Sequence, residues 1–172
     1  MRVEQHSIEQ SVSVAAPPET VWREVTQVDI AAFRHPALFS ILGIPKPLRA
    51  EVLRPGVGGE RIAFFSNNLR FTQKITEWRP PERYAFTFEA DPGFRVVFCF
   101  DLSDGPFRML SGAYLIRPTE RGAQLSLSSQ YELRGLVGAC IGLPVRLILR
   151  LFQAYLLRGI RINAERRAQA RR

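Results

Sequence analysis

The sequence has few of the residues that covalent or metal chemistry needs. Cys99 and Cys140 are its only cysteines; they lie far apart, form no CxxC, and have no metal-spaced histidine or carboxylate beside them. That argues against a disulfide framework and a zinc site, and two such thiols read as reduced, semi-buried residues of a cytoplasmic protein. No Ser-His-Asp order, nucleophile elbow or phosphate loop occurs, and Gly56-Val57-Gly58-Gly59 is too short to cradle a phosphate and reads as a turn. The opening MRVEQHSIEQ has no apolar stretch of the kind a secretory leader carries. No cofactor and no metal is expected. Methionine and tryptophan number two each against twelve phenylalanines, so the bulky apolar surface comes from a side chain with no polar atom to satisfy.

Negative charge is scarce at one end. From Arg134 onward there are nine arginines and one acid, Glu165, and this end carries the whole surplus of +8, while the first 133 residues balance. No base-stacking aromatics are interleaved with these arginines and no nucleic-acid motif accompanies them, so no nucleic-acid partner is expected. Two readings stay open: a solvated polar face, or peripheral contact with an anionic membrane. The length suits a single domain, residues 1–168, followed by a basic tail, 169–172; the end, RRAQARR, reads as disordered.

Pro144 to Ala168 reads as one long helix begun by Pro144, where a missing N–H costs nothing. Val145, Ile148, Leu149, Phe152, Tyr155, Leu156 and Ile160 recur at helical spacing on one face, which Leu147, Leu151 and Ala154 widen, with Arg146, Arg150, Gln153, Arg158 and Arg161 on the other. Gly135 to Leu157 is apolar enough to suggest a membrane span, but Arg146 and Arg150 near a bilayer centre would cost about 2.5–3.5 kcal/mol each, which argues against one.

Before this helix the chain alternates. Ser7–Val14 reads as a strand closed by Ala15-Ala16-Pro17-Pro18. A short helix, PETVWREVTQV, follows, then a second, DIAAFRH, with Asp29 as N-cap, disturbed by His35-Pro36. ALFSILGIP reads as an apolar hinge. Strands follow at 48–53, 60–66, 69–78, 83–89, 94–100, 107–117 and 123–133, separated by short Pro/Gly/Asn turns. The last alternates most cleanly, with Leu125, Leu127, Ser129, Tyr131 and Leu133 inward. Sequential hairpins give an antiparallel sheet with one apolar face, which the left-over helix must cover.

This order, with SVSVAAPPETVWREVTQVD (a strand, then a helix opened by Pro-Pro) and KITEWRPPERYAFTFEA (strand, Pro-Pro turn, strand), resembles the START/Bet-v-1-like (SRPBCC) superfamily. Within it, the chain is most similar to the polyketide cyclase/dehydrase and lipid-transport group. The resemblance covers roughly residues 7–168. It implies an α+β helix-grip fold: a curved antiparallel sheet wrapped around a long C-terminal helix, with two short helices after the first strand. Phe94–Asp101 departs from the pattern as an extra strand or a long hairpin insertion.

The resemblance also implies a cavity between sheet and helix for a hydrophobic small molecule or lipid. The candidate lining is Phe71, Phe86, Phe88, Phe98, Tyr131, Phe152, Tyr155 and Leu156, with Ser129 beside Tyr131 to hydrogen-bond a ligand; the alternative is that these residues simply fill a core. The expected function is binding, with or without transport. The alternatives are a cyclase/dehydratase-type enzyme or a membrane-peripheral module using the arginine-rich helix. The helix's apolar face could also bury against a second copy as a homodimer. No catalytic residue is assigned. His35 could act as a base near neutral pH or merely cap a kink. His6 reads as structural. Arg70 and Asp101 could point into a cavity, and Glu77 is either a buried acid or a strand-end charge.

Overall fold

The computed structural model describes residues 3–97, 100–103 and 105–171, the side chains of 137–139 excepted; Phe98 and Cys99, named above, lie outside the described residues. The alternating segments form the strands β1 (Val3–Val14), β3 (Pro47–Val52), β4 (Glu60–Phe65), β5 (Arg70–Arg79), β6 (Arg83–Ala90), β9 (Phe107–Thr119) and β10 (Gly122–Arg134), joined by a short strand β2 (Gln27–Asp29). These make one antiparallel sheet in the order β1-β10-β9-β6-β5-β4-β3-β2. All neighbours but two are consecutive in sequence: β10 returns beside β1, and β9 beside β6. A long helix, α3 (Gly135–Gln169), crosses the concave face of this curled half-barrel, as the helix-grip reading expects.

Several local expectations are corrected. The first short helix, α1 (Pro18–Thr26), forms behind Pro17-Pro18 with Glu19 in its first turn. The second does not form over 29–35, because Val28 and Asp29 are drawn into pairing with Ala50 and Arg49, and Asp29 Oδ1 instead accepts the Ala31 N–H at 3.3 Å. It forms beyond Pro36 as α2 (Ala37–Ile41), in the segment expected to be a hinge, capped by Leu42 and followed by Gly43 with φ +64°. Of the two readings of Phe94–Asp101, the hairpin insertion is the one that forms: two short strands, β7 (Arg95–Val96) and β8 (Phe100–Asp101), pair with each other apart from the main sheet.

The long helix starts at Gly135, so Pro144 is internal, nine residues along. It deprives the ladder of one N–H. At the other end the helix continues through Arg166–Gln169, part of the stretch read as disordered. Cys140 is exposed rather than semi-buried, because it faces away from the sheet. Leu147, Leu151 and Ala154 face outward too and do not widen the buried face, whereas Gln153, expected outside, is buried.

The helix is gripped unevenly. Its C-terminal half packs solidly: Leu157, Ile160 and Ala164 are buried with Val21 and Val25 of α1, Ile30, and Leu125 and Leu127 of β10. Each fully buried Val, Leu or Ile adds about 1.5–3 kcal/mol. The approach is close enough that a Cβ on Gly159 would sit 2.6 Å from Ile30 Cγ2. Polar ties reinforce it. Arg167 Nε donates to the buried Glu24 carboxylate at 2.5 Å, Asn163 to the Asp29 carbonyl at 2.7 Å, and the Ala15 N–H to Glu165 at 3.0 Å. The N-terminal half contributes only partly buried Ile141, Val145, Leu149 and Phe152 to a second cluster around Phe65, Phe71, Phe94, Phe107 and Tyr131. Under that half the interior is hollow.

Candidate ligand cavity

The hollow measures about 390 Å³, within the range of small-molecule sites. Its floor is the inner face of β4, β5, β6, β9 and β10; its roof is α3 from Ile141 to Leu156; its end walls come from α2's C-terminal side and the β7–β8 ribbon. The floor keeps its shape because β9 carries Gly112 under the rings of Phe86 and Phe88. A Cβ there would lie 2.8 Å from Phe86 Cζ and 3.3 Å from Phe88 Cε2.

Of the residues read as lining, Phe71, Phe86, Phe88, Ser129, Phe152 and Leu156 stand around the hollow. Tyr131 and Tyr155 do not. Tyr131 follows an irregularity in the β9–β10 register at Gln130/Tyr131, stacks on His6 at 5.3 Å between ring centres, and fills the space between Phe107 and the sheet edge. Tyr155 turns toward the α2 side, against His35 and Phe39 at 6.4 Å each. Burial pushes both phenols above the ordinary tyrosine value, with Arg146 opposing the shift at Tyr131.

The polar lining was largely missed by sequence reasoning. Arg61 of β4 is 3% exposed. Its Nη1 donates to Gln73 Oε1 at 2.8 Å and its Nη2 to the Val25 carbonyl, in the last turn of α1, at 2.9 Å. Among the described residues its Nε has no partner, and the guanidinium stands 5.8 Å from the centre of the Tyr84 ring. Gln153 of α3, also 3% exposed, donates to Ser129 Oγ at 3.0 Å; either orientation of its amide leaves one polar atom unpaired. Tyr114 brings a phenol to the same lining. Burial raises its pKa and drives that of neighbouring Tyr84 to about 12, in each case against the pull of the Arg61 charge.

The other candidates resolve as structure. His35 is outside the lining, with Nε2 2.9 Å from the Ile44 carbonyl. Glu77 is a strand-end charge: its carboxylate meets Arg79 and Arg83 at 2.6 Å each. Burial would raise its pKa, but the two arginines outweigh it and leave the value lowered. Arg70 pairs with Asp91 at 3.3 Å, and Asp101 Oδ1 accepts the Ser103 N–H at 2.8 Å. Among the described residues, no group of three or more His, Cys, Asp or Glu is placed to hold a metal.

Comparison with known proteins agrees with this architecture. Protein CV1439 from Chromobacterium violaceum superimposes with a TM-score of 0.52 at 21% identity, covering 92% of this chain and 97% of its own. Mll3558 from Rhizobium loti gives 0.57 at 14%, covering 95% and 99%. Ara h 8.0201 gives 0.57 at 15%, covering 97% and 99%. At such identities the likeness is one of fold. No match was found among curated proteins. Residues 5–165 match the family described as polyketide cyclase/dehydrase and lipid transport. With that match spanning nearly the whole chain, and a helix gripped over a hollow half-barrel, the protein belongs to this family within the SRPBCC superfamily.

Proposed function

We propose that the protein binds a hydrophobic small molecule or lipid in the cavity beneath the N-terminal half of α3. The observation that carries this is the unevenness of the grip: one half of the helix seals a solid core, while the other roofs a 390 Å³ hollow walled by Phe71, Phe86, Phe88 and Phe152. An apolar hollow of this size gains by trading poor packing for an apolar guest. Titration with a fluorescent fatty-acid analogue tests it. Saturable uptake at one per chain, displaced by non-fluorescent amphiphiles, is expected; no uptake rejects the reading. The cyclase/dehydratase alternative has three titratable groups, Arg49, Arg61 and Tyr114, but no carboxylate or imidazole among the described lining residues to remove a proton.

A second reading rests on α3's outer face. Leu136, Leu143 and Leu147 are 88%, 81% and 57% exposed, continue into Leu151, and are flanked by exposed Arg146, Arg150, Arg158 and Arg161. By length and composition alone, Cys140–Gln169 could cross a membrane, but its inner face is committed to the sheet. A leucine stripe rimmed by cations suits the surface of an anionic bilayer. A two-fold dimer through the same stripe would set arginine rims against each other. Flotation with phosphatidylserine vesicles is expected, weakened by salt and lost in a Leu143→Glu/Leu147→Glu double variant. Equal binding to neutral vesicles, or a dimer that this variant splits, would reject the membrane reading.

A further inference from the structure

Arg61 brings a full positive charge into the interior. Among the described residues no carboxylate pairs with it. Its neighbours are the amide of Gln73, the carbonyl of Val25, the ring of Tyr84 and the phenol of Tyr114. The end of α1 supplies some compensation, since carbonyls at a helix C-terminus carry partial negative charge, and the tyrosine ring supplies a little more. Neither equals an anion, and a buried cation without one is costly. If Arg61 served only to cap α1, its Nη2 alone would suffice. The residue instead stands in the cavity lining with Nε unpartnered among the described residues, and Gln73 opposite it, at the paired position on β5, also faces the cavity.

We propose that Arg61, with Gln73, recognises a negatively charged oxygen group, a carboxylate, at one end of an otherwise apolar ligand. This rests on the cavity being a ligand site. The carboxylate would accept from Nε and supply the missing counter-charge, while the apolar body lies among Phe71, Phe86, Phe88 and Phe152. Guanidinium and carboxylate together form a charge-assisted hydrogen bond, stronger than one between neutral groups. The ligand is then an amphipathic acid rather than a neutral sterol or ester.

The test compares dodecanoate, dodecanol and methyl dodecanoate, three guests of nearly equal apolar bulk, by calorimetric titration of the full chain at pH 8, where the acid is ionised. Dodecanoate is expected to bind at least about tenfold tighter than either neutral analogue. That preference should vanish in Arg61→Gln and survive in part in Arg61→Lys. Equal affinity of all three for the unaltered protein overturns the carboxylate assignment while leaving cavity binding intact. Uptake of none removes the cavity reading, and this inference with it. Should R61Q fail to fold, the acid-to-alcohol ratio of the unaltered protein still decides.

Discussion

Gly112→Ala places one methyl group where it separates a hollow interior from a packed one. Its Cβ would stand 2.8 Å from Phe86 Cζ and 3.0 Å from Cε2, so the ring must move. Were Phe86 locked in a solid core, overpacking would cost about 1–3 kcal/mol. Here the ring borders a cavity of about 390 Å³ and can swing into it, which keeps the cost near 1 kcal/mol. Alanine returns about 0.4–1 kcal/mol by restricting the unfolded chain, since no positive φ is required at this position. The net change is then within about 1 kcal/mol, or a midpoint shift of at most roughly 4 °C for a chain of this length. The displaced ring takes up space that a ligand would use, so probe affinity should fall several-fold while stability barely changes. Urea unfolding and probe titration of the same preparation measure both. A loss of 3 kcal/mol or more with unchanged probe uptake would refute the reasoning, because it would mean that the ring had nowhere to go.

Leu157→Ala, in the sealed half of the helix, should cost about 2–5 kcal/mol, whereas Leu149→Ala, beside the hollow, should fall at or below the lower end of that range; urea unfolding of the pair compares them. Gln153→Leu should leave stability within about 1 kcal/mol, because the lost bond to Ser129 is offset by removing a buried unpaired amide atom, and it should weaken binding of polar-tailed probes more than of alkanes. Burial raises the folded-state pKa of Tyr84 from the ordinary tyrosine value of 10.0 to about 12, so its contribution is complete below pH 10 and is lost as pH rises toward 12. A rise of that size corresponds to about 2–3 kcal/mol of alkaline destabilisation. Tyr84→Phe should flatten that decline in pH-dependent melts without loss at neutral pH, since the hydroxyl has no hydrogen-bond partner among the described residues.

The architecture was legible because its strongest signals are local. Alternation in β5 and β10, Pro-Pro before α1 and the apolar periodicity of α3 each follow from residues within one element, and sequential hairpins then order most of the sheet. The errors arose where a partner outside the element decided. Val28 and Asp29 look helical until β3 recruits them. Positions 146, 150, 153, 157, 160 and 164 follow one line along α3; the line is exposed at its two arginines and buried from Gln153 on, and only the sheet's position tells where the change comes. Arg61 was hidden because β4 carries aromatics on both faces: Phe65 points in with Arg61, while Phe64 points out under the guanidinium of Arg49, 4.7 Å away. A signal was nonetheless present. Gln73 interrupts the inward run Phe71, Ile75, and a polar residue at such a position asks for a partner on the neighbouring strand.

Native mass spectrometry of the protein purified from cells, followed by mild unfolding and extraction, tests the central claim most directly. The account predicts a single small amphiphile per chain, released on unfolding and taken up again on refolding with dodecanoate. A chain that emerges empty and accepts no guest would contradict it.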